Sequence, residues 1–247
     1  MRKAGKRRGI PWEIRRLGSV ESTNTYLLAE AALGAPEGLV VAADHQTAGR
    51  GRQGRVWDDR PGSSLLFSAL FRPVGEPVEH LYGQAMALAV SDACFSLYEV
   101  RAGLKWPNDV LIEDRKLAGI LSEAVSSGGR VSAIVVGCGV NLNWGDSPPS
   151  GFGRSAVSLD EPAGRVVDQD AFLDSLLDAL EQRLENPRLI VAQYRKACVT
   201  LGREVRVEQA GTTLKGIAVD ISDDGSLVLR TAAGDQIVSI GDVIHLR

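Results

Sequence analysis

Three arginines stand within six residues in Gly49-Arg50-Gly51-Arg52-Gln53-Gly54-Arg55, with Gln46 shortly before them and Trp57 shortly after. Guanidinium groups hold carboxylates and phosphates through paired hydrogen bonds. Interspersed glycines let the backbone come close to a ligand and move when none is bound. An indole offers a flat face for a purine ring. Together these residue types describe a loop for an anionic, nucleotide-like ligand, with a solvated basic loop or a non-specific nucleic-acid contact as the alternatives. Gly49-x-Gly51-x-x-Gly54 also matches the spelling of a dinucleotide fingerprint. That motif must open a helix packed on the sheet, whereas VWDDRPGSS follows here, with Pro61 and no amphipathic face. No Gly-Lys-Ser/Thr occurs, so it is no Walker loop either.

Two further segments carry reactive groups. Lys105-Trp106-Pro107-Asn108-Asp109 is followed by Lys116-Leu117-Ala118-Gly119, which puts lysines and an amide beside a proline turn at strand ends. Lys116 by itself reads equally as an ordinary turn lysine, and Asp109 suits either a cation or an arginine. Gly137-Cys138-Gly139-Val140-Asn141-Leu142-Asn143 ends an apolar run with two glycines and two amides. This fits a backbone closely approached by a ligand, or a plain exit from a strand.

These residues need a scaffold, and hydrophobic periodicity supplies its outline. WEIRRL (12–17) reads as a strand. SVESTNTYLLAEAALG reads as a helix capped by Ser22 or Thr23, packed through Tyr26, Leu27, Leu28, Ala31 and Ala32, and ended by Gly34. Strands are expected at 39–44 and 63–73. A long helix is expected over 80–100, with Leu81, Ala85, Leu88, Asp92 and Phe95 on one face. LKWPNDVLI, KLAGILSEAV and VSAIVVGCGVNLN follow as three more strands. Residues 145–165 are rich in Gly, Pro and Ser and read as a loop. Asp168 or Asp170 caps the next helix, which aligns Phe172, Leu173, Leu176, Leu177, Leu180 and Leu184 and breaks at Pro187. After Leu201, short strands recur with QAG, DDG and AAGD turns, the pattern of a small barrel or sandwich. The expected organisation is a basic, disordered arm at 1–11, a main domain at 12–200 and a β-rich domain at 201–247.

The chain has 247 residues, 44% apolar and 24% charged, an ordinary globular mix. No apolar run of about 18 residues exists, so a spanning helix is not expected. Residues 1–16 carry net +6 within an overall charge of −3, leaving −9 elsewhere, which argues against a broad nucleic-acid footprint. The cysteines, Cys94, Cys138 and Cys198, are odd in number and far apart, so neither a disulfide framework nor a zinc site is expected, and a reducing cytoplasm is.

Ser22-Thr23-Asn24, the GRGRQGR loop with Gln46 and Trp57, KWPND, RKLAGIL and GCGVNLN resemble, in order and spacing, the bacterial biotin–protein ligases, in the short form without an N-terminal DNA-binding domain. The resemblance spans residues 12–247. It implies an α+β fold: a mixed sheet flanked by helices, related to the cores of lipoate ligases and of one class of aminoacyl-tRNA synthetases, plus a small C-terminal SH3-like β-barrel. It implies an enzyme that joins biotin to AMP using ATP and Mg2+, then transfers biotin to a lysine of a biotin carboxyl carrier domain. It further implies a monomer or homodimer, with no membrane and no DNA partner. By the same resemblance, Ser22, Thr23, Asn24, Gln46, Arg50, Gly51, Arg52, Lys116 and Gly119 serve biotin. Arg52, Arg55, Trp57, Lys105, Asn108, Lys116 and Asn141 serve the nucleotide, with Trp57 lying on adenine, and Lys116 and Arg52 are the catalytic cations. A lipoate or octanoate ligase of the same fold is the alternative.

Overall fold

The computed structural model describes residues 9–74, 80–145, 155–209 and 211–246. Most of the basic arm and most of the 145–154 stretch therefore lie outside the described residues.

Strand β1 (Glu13–Val20) runs three residues past its expected end. It leads through helix α1 (Thr23–Ala32) to β2 (Leu39–Gln46), and β1 and β2 pair in parallel. Ser22, not Thr23, is the N-cap: its extended backbone lets Oγ accept from the Thr25 N–H. Leu27 and Ala31 are buried, Tyr26 and Leu28 pack at the edge of that cluster, and Ala32, expected to pack, is exposed. Gly34 follows the helix at φ 93°, a left-handed turn that suits glycine.

The arginine segment then leads to β3 (Ser64–Phe71), buried throughout, and helix α2 (Leu81–Tyr98). Ala85 and Leu88 face the core as expected. Phe95 does not; it is exposed and covered by the Arg101 guanidinium at 4.9 Å. Asp92 pairs with Arg183 instead of packing.

LKWPNDVLI is not one strand. It folds into a hairpin of β4 (Gly103–Lys105) and β5 (Asp109–Ile112), because Pro107 lacks the N–H a continuous ladder needs. β6 (Arg115–Ser127) and β7 (Arg130–Asn141) complete a seven-stranded mixed sheet in the order β1-β2-β3-β7-β6-β5-β4. The expected loop at 145–165 contains a short helix, α3 (Asp160–Ala163).

Helix α4 (Gln169–Glu185) is capped by Asp168, whose side chain accepts from Asp170 N and Ala171 N. All six expected apolar residues of α4 are buried, and α4 packs against α2. Each contributes on the order of 1.5–3 kcal/mol relative to exposure. A turn at Pro187–Leu189 leads into α5 (Ile190–Ala197).

Helices α2, α4 and α5 pack on one sheet face, and α1 packs on the other. The end of the α1 face beyond the helix N-terminus is left for the functional loops.

The C-terminal strands β8 (Glu204–Gln209), β9 (Thr212–Ile221), β10 (Leu227–Thr231), β11 (Gly234–Val238) and β12 (Asp242–His245) form an antiparallel sheet in the order β11-β10-β9-β8-β12. It shares one apolar core with the larger body, through Val205, Val207, Ile221 and Leu227 among others, and a backbone carbonyl adds a polar contact between them. Gly225 O, in the β9–β10 turn, accepts from Trp106 Nε1 and Gln84 Nε2, both at 3.1 Å. Gly225 has φ 90°, and a Cβ there would collide with His80 and Gln84, so glycine is required at this contact. This docking brings β12 alongside the arginine segment.

Candidate active site

The arginine segment is a small hairpin. Trp57 N donates to Gly49 O at 2.9 Å, Gly51 N donates to Arg55 O at 2.7 Å, and Arg50 bridges Val56. Gln53 turns the tip at φ 53°. The hairpin folds back over the sheet, and Trp57 lies on it.

Gly119 on β6 and Gly139 on β7 are directly opposite one another. A Cβ on them would fall 2.9 Å and 2.6 Å from the indole, so the paired glycines form the trough that admits the ring. The close approach expected at Gly137–Gly139 is thus made by Trp57 and, at Gly137, by Asn24.

The indole separates two cavities. The smaller, about 30 Å3, is lined by Ser22, Thr23, Asn24, Gln46, Arg50, Gly137 and the trough glycines. Its walls form one polar chain. Gln46 Oε1 accepts from Thr23 N at 2.8 Å and from Thr23 Oγ1 at 3.1 Å. Buried Ser68 stands 2.8 Å from Thr23 Oγ1 and 2.6 Å from Asn24 Oδ1. Asn24 Nδ2 donates to Leu121 O and to Glu123 Oε2. Arg50 Nη2 donates to both Glu123 oxygens, at 2.9 and 2.8 Å.

This accounting sorts the expected ligand contacts. Both Asn24 donors and its acceptor are committed within the protein, and the Arg50 charge is answered by Glu123. The Ser22 hydroxyl proton and the Gln46 Nε2 group remain to meet a neutral ligand.

The larger cavity, about 370 Å3, is lined by Gly51, Arg52, Arg55, Trp57, Lys105, Asn108, Asp109, Lys116, Gly119 and Asp242. Five cations line it: Arg50, already paired with Glu123, and Arg52, Arg55, Lys105 and Lys116. Lys116 Nζ is 2.6 Å from Asp109 Oδ1 and 5.6 Å from the Trp57 ring centre. Arg52 Nη1 reaches Asn108 Oδ1 at 3.3 Å, Gly241 O at 3.1 Å and Asp242 Oδ1 at 3.3 Å. Arg55 pairs with the same Asp242. Burial lowers the pKa of Arg52 and of Lys105, with Asp242 opposing the shift at Arg52 and Asp109 opposing it at Lys105. Their charges face a desolvated space, where an arriving anion gains most from them.

Asn141 is not brought to either cavity. It is 1% exposed, and its Nδ2 donates to Lys116 O and Val157 O, which fixes the strand that carries Lys116. Sequence reasoning missed Glu123, Ser68 and Asp242. A serine inside the apolar run SLLFSALF was a usable signal for Ser68. Nothing local marked Glu123 or Asp242, because their partners lie 73 and about 190 residues away in sequence. Among the described residues no group of three or more His, Cys, Asp or Glu side chains stands together to hold a metal, and no helix is long and apolar enough to cross a membrane.

Comparison with known proteins extends this geometry. The family model for the biotin/lipoate A/B protein ligase family matches residues 17–141, and that for the biotin protein ligase C terminal domain matches residues 200–246. The chain is 40% identical over 238 residues to a biotin–[acetyl-CoA-carboxylase] ligase of Mycobacterium tuberculosis, covering 92% of this chain and 86% of the relative. It is 34% identical to the enzyme of that name from Paracoccus denitrificans, with 92% and 98% covered. It spans 66% of the bifunctional ligase/repressor of Bacillus subtilis, at 31% identity and with 85% of this chain covered. The solved structure of biotin protein ligase from Aquifex aeolicus in complex with biotin and ATP superposes with a TM-score of 0.81 at 27% identity, covering 95% of this chain and 99% of that one. The chain belongs to the biotin/lipoate A/B protein ligase family.

Proposed function

We propose that the protein activates biotin with MgATP to biotinyl-5′-adenylate and transfers the biotin to a lysine of a biotin carboxyl carrier domain, releasing AMP. The observation that carries this reading is the pair of adjoining cavities, one walled by neutral hydroxyls and amides and the other ringed by Arg52, Arg55, Lys105 and Lys116. A urea ring needs the first and a nucleoside phosphate the second, and the bond to be made lies where they meet, at Trp57 and Lys116. The solved relative with biotin and ATP and the curated ligases agree with this assignment.

Activation brings two anions together: the biotin carboxylate attacks the α-phosphorus of ATP, and pyrophosphate leaves. Lys116 and Arg52 offset the charge that builds on the phosphoryl oxygens, and Lys116 also faces the acyl oxygen when the carrier lysine attacks. Preorganised donors of this kind are worth on the order of 3–4 kcal/mol each. Asp109 and Asp242 hold the cations in place beforehand, so little reorganisation remains when the phosphate arrives. Trp57, at the boundary, offers its ring to adenine. Mg2+ would enter with ATP and offset phosphate charge. The two carboxylates that line the cleft, Asp109 and Asp242, are paired with cations, so phosphate and water oxygens would supply most of its ligands.

About 30 Å3 holds one water, so entry of biotin must lift Trp57 and the hairpin from their trough. Residues 12–200 then form the catalytic unit, and residues 201–247 a second unit that closes the nucleotide cleft through Asp242. Three free buried cysteines suit a reducing cytoplasm.

The test is biotin-dependent ATP–pyrophosphate exchange on the purified protein, with lipoate and octanoate in parallel. Exchange with biotin alone is expected. Exchange with lipoate or octanoate instead moves the substrate assignment within the family, and no exchange with any acid from folded protein refutes the adenylation reading.

A further inference from the structure

The two roots of the arginine hairpin meet at a pair to which sequence reading attached no chemistry. His45 immediately precedes Gln46 in β2, and Asp59 lies two residues beyond Trp57. His45 Nδ1 is 3.1 Å from Asp59 Oδ2. The Asp59 side chain is 1% exposed and the imidazole 33%. The Gln46 backbone N–H also hydrogen-bonds to the same carboxylate. Beside this pair, Gly62 N donates to Asp44 O at 3.2 Å. A buried carboxylate is unfavourable unless its oxygens are satisfied. Here the bonds to Asp59 come from the strand end that carries Gln46. The contact therefore closes a ring over residues 45–59, in which Gln46 walls the smaller cavity and Trp57 divides it from the larger. Neither His45 nor Asp59 is among the residues lining those cavities.

We infer that His45 and Asp59 are a positioning pair for the hairpin: their bond keeps Gln46 and Trp57 in register and holds the hairpin down over the acyl-adenylate between the two half-reactions. The intermediate rests on the function proposed above; the restraint on the hairpin does not. His45 is part-exposed, so its replacement leaves the core intact. Loss of one such bond corresponds to roughly a tenfold change in the opening equilibrium of the segment it restrains.

The experiment compares His45→Ala and His45→Asn with the parent in the full chain, using two readouts. The first is trypsin cleavage after Arg50, Arg52 and Arg55 in the absence of ligands, which needs no activity. The second is escape of acyl-adenylate during turnover of biotin and MgATP without a carrier protein. His45→Ala should raise both by roughly tenfold. His45→Asn, whose amide N–H2 reaches the place of Nδ1, should return both to within about threefold of the parent. A general loss of stability would not be rescued by asparagine, and the thermal midpoints record it separately. Parent-like cleavage in His45→Ala overturns the proposal, and so does His45→Asn behaving like His45→Ala. If the parent makes no adenylate at all, the proposed function fails and the cleavage series still decides the pair.

Discussion

Removing Lys116 should do more than remove one cation. Its ammonium is 2.6 Å from Asp109 Oδ1, and these side chains are 31% and 21% exposed, so the pair sits in a partly desolvated cleft. Lys116→Ala forfeits a preorganised donor, on the order of 3–4 kcal/mol or a factor of 10²–10³ in rate. It also leaves the Asp109 charge facing the phosphate. Like charges ~4 Å apart in surroundings of effective dielectric ~20 repel by about 4 kcal/mol. Solvent that enters the truncated site will screen part of this, so one to two further decades of rate are expected. Asp109→Asn in the Lys116→Ala background should remove the repulsion and recover at least tenfold, although Asp109→Asn alone should impair the enzyme by freeing Lys116 from its position. The assay is biotin-dependent ATP–pyrophosphate exchange at saturating substrates, with circular dichroism confirming the fold. Parent-like exchange in Lys116→Ala would remove it from the chemistry. A double variant no faster than the single one would refute the electrostatic argument, since coupling between contacting charges must appear as non-additivity.

Other perturbations probe the rest of the site. Asp242→Asn deprives Arg52 and Arg55 of their shared carboxylate, so the ligand-free hairpin should be cut by trypsin several-fold faster than the parent's. Equal rates would show that the Asp242 carboxylate does not hold it. Gly139→Ala places a methyl 2.6 Å from the Trp57 indole. Overpacking of this kind costs about 1–3 kcal/mol, so a lower urea midpoint of the ligand-free protein is expected, with an unchanged midpoint as the refuting result. Burial first, then Lys105 and Arg203, push His245 down from 6.5 to about 4. A depressed histidine is neutral in the folded state, so its contribution is complete above pH 6.5 and is lost as the pH falls towards 4. The urea midpoint should therefore drop across that window more steeply in the parent than in His245→Gln; parallel curves would contradict the shift.

The chain's own spacing carried much of the site. Alternating glycine and arginine, the KWPND turn and the GCGVNLN exit are local patterns, and each encodes a local backbone need. The helix face from Phe172 to Leu184 was legible for the same reason, since one periodicity decides it. Misreadings arose where the deciding contact was distant. LKWPNDVLI is the exception: it reads as one strand by its apolar content, although Pro107, which breaks the ladder, lies within the segment itself. Phe95 reads as core until α2 is seated against neighbours that leave it outside. Asn141 reads as a ligand contact until strand β6 supplies the carbonyl that takes its amide.

Residue type and spacing alone pointed to a glycine-spaced arginine loop with a neighbouring indole, suited to an anionic, nucleotide-like ligand; the neutral polar groups for an uncharged ring were named only through the family resemblance. Only the tertiary structure decided which of those groups remain free to act. Folding commits Arg50 to Glu123 and Asn24 to Ser68 and Glu123, and it brings Asp242 from the far end of the chain onto Arg52 and Arg55. The reason is physical. A side chain's chemistry is intrinsic to it, but its hydrogen bonds and charge partners are shared out in three dimensions, and the ligand can use only what that sharing leaves.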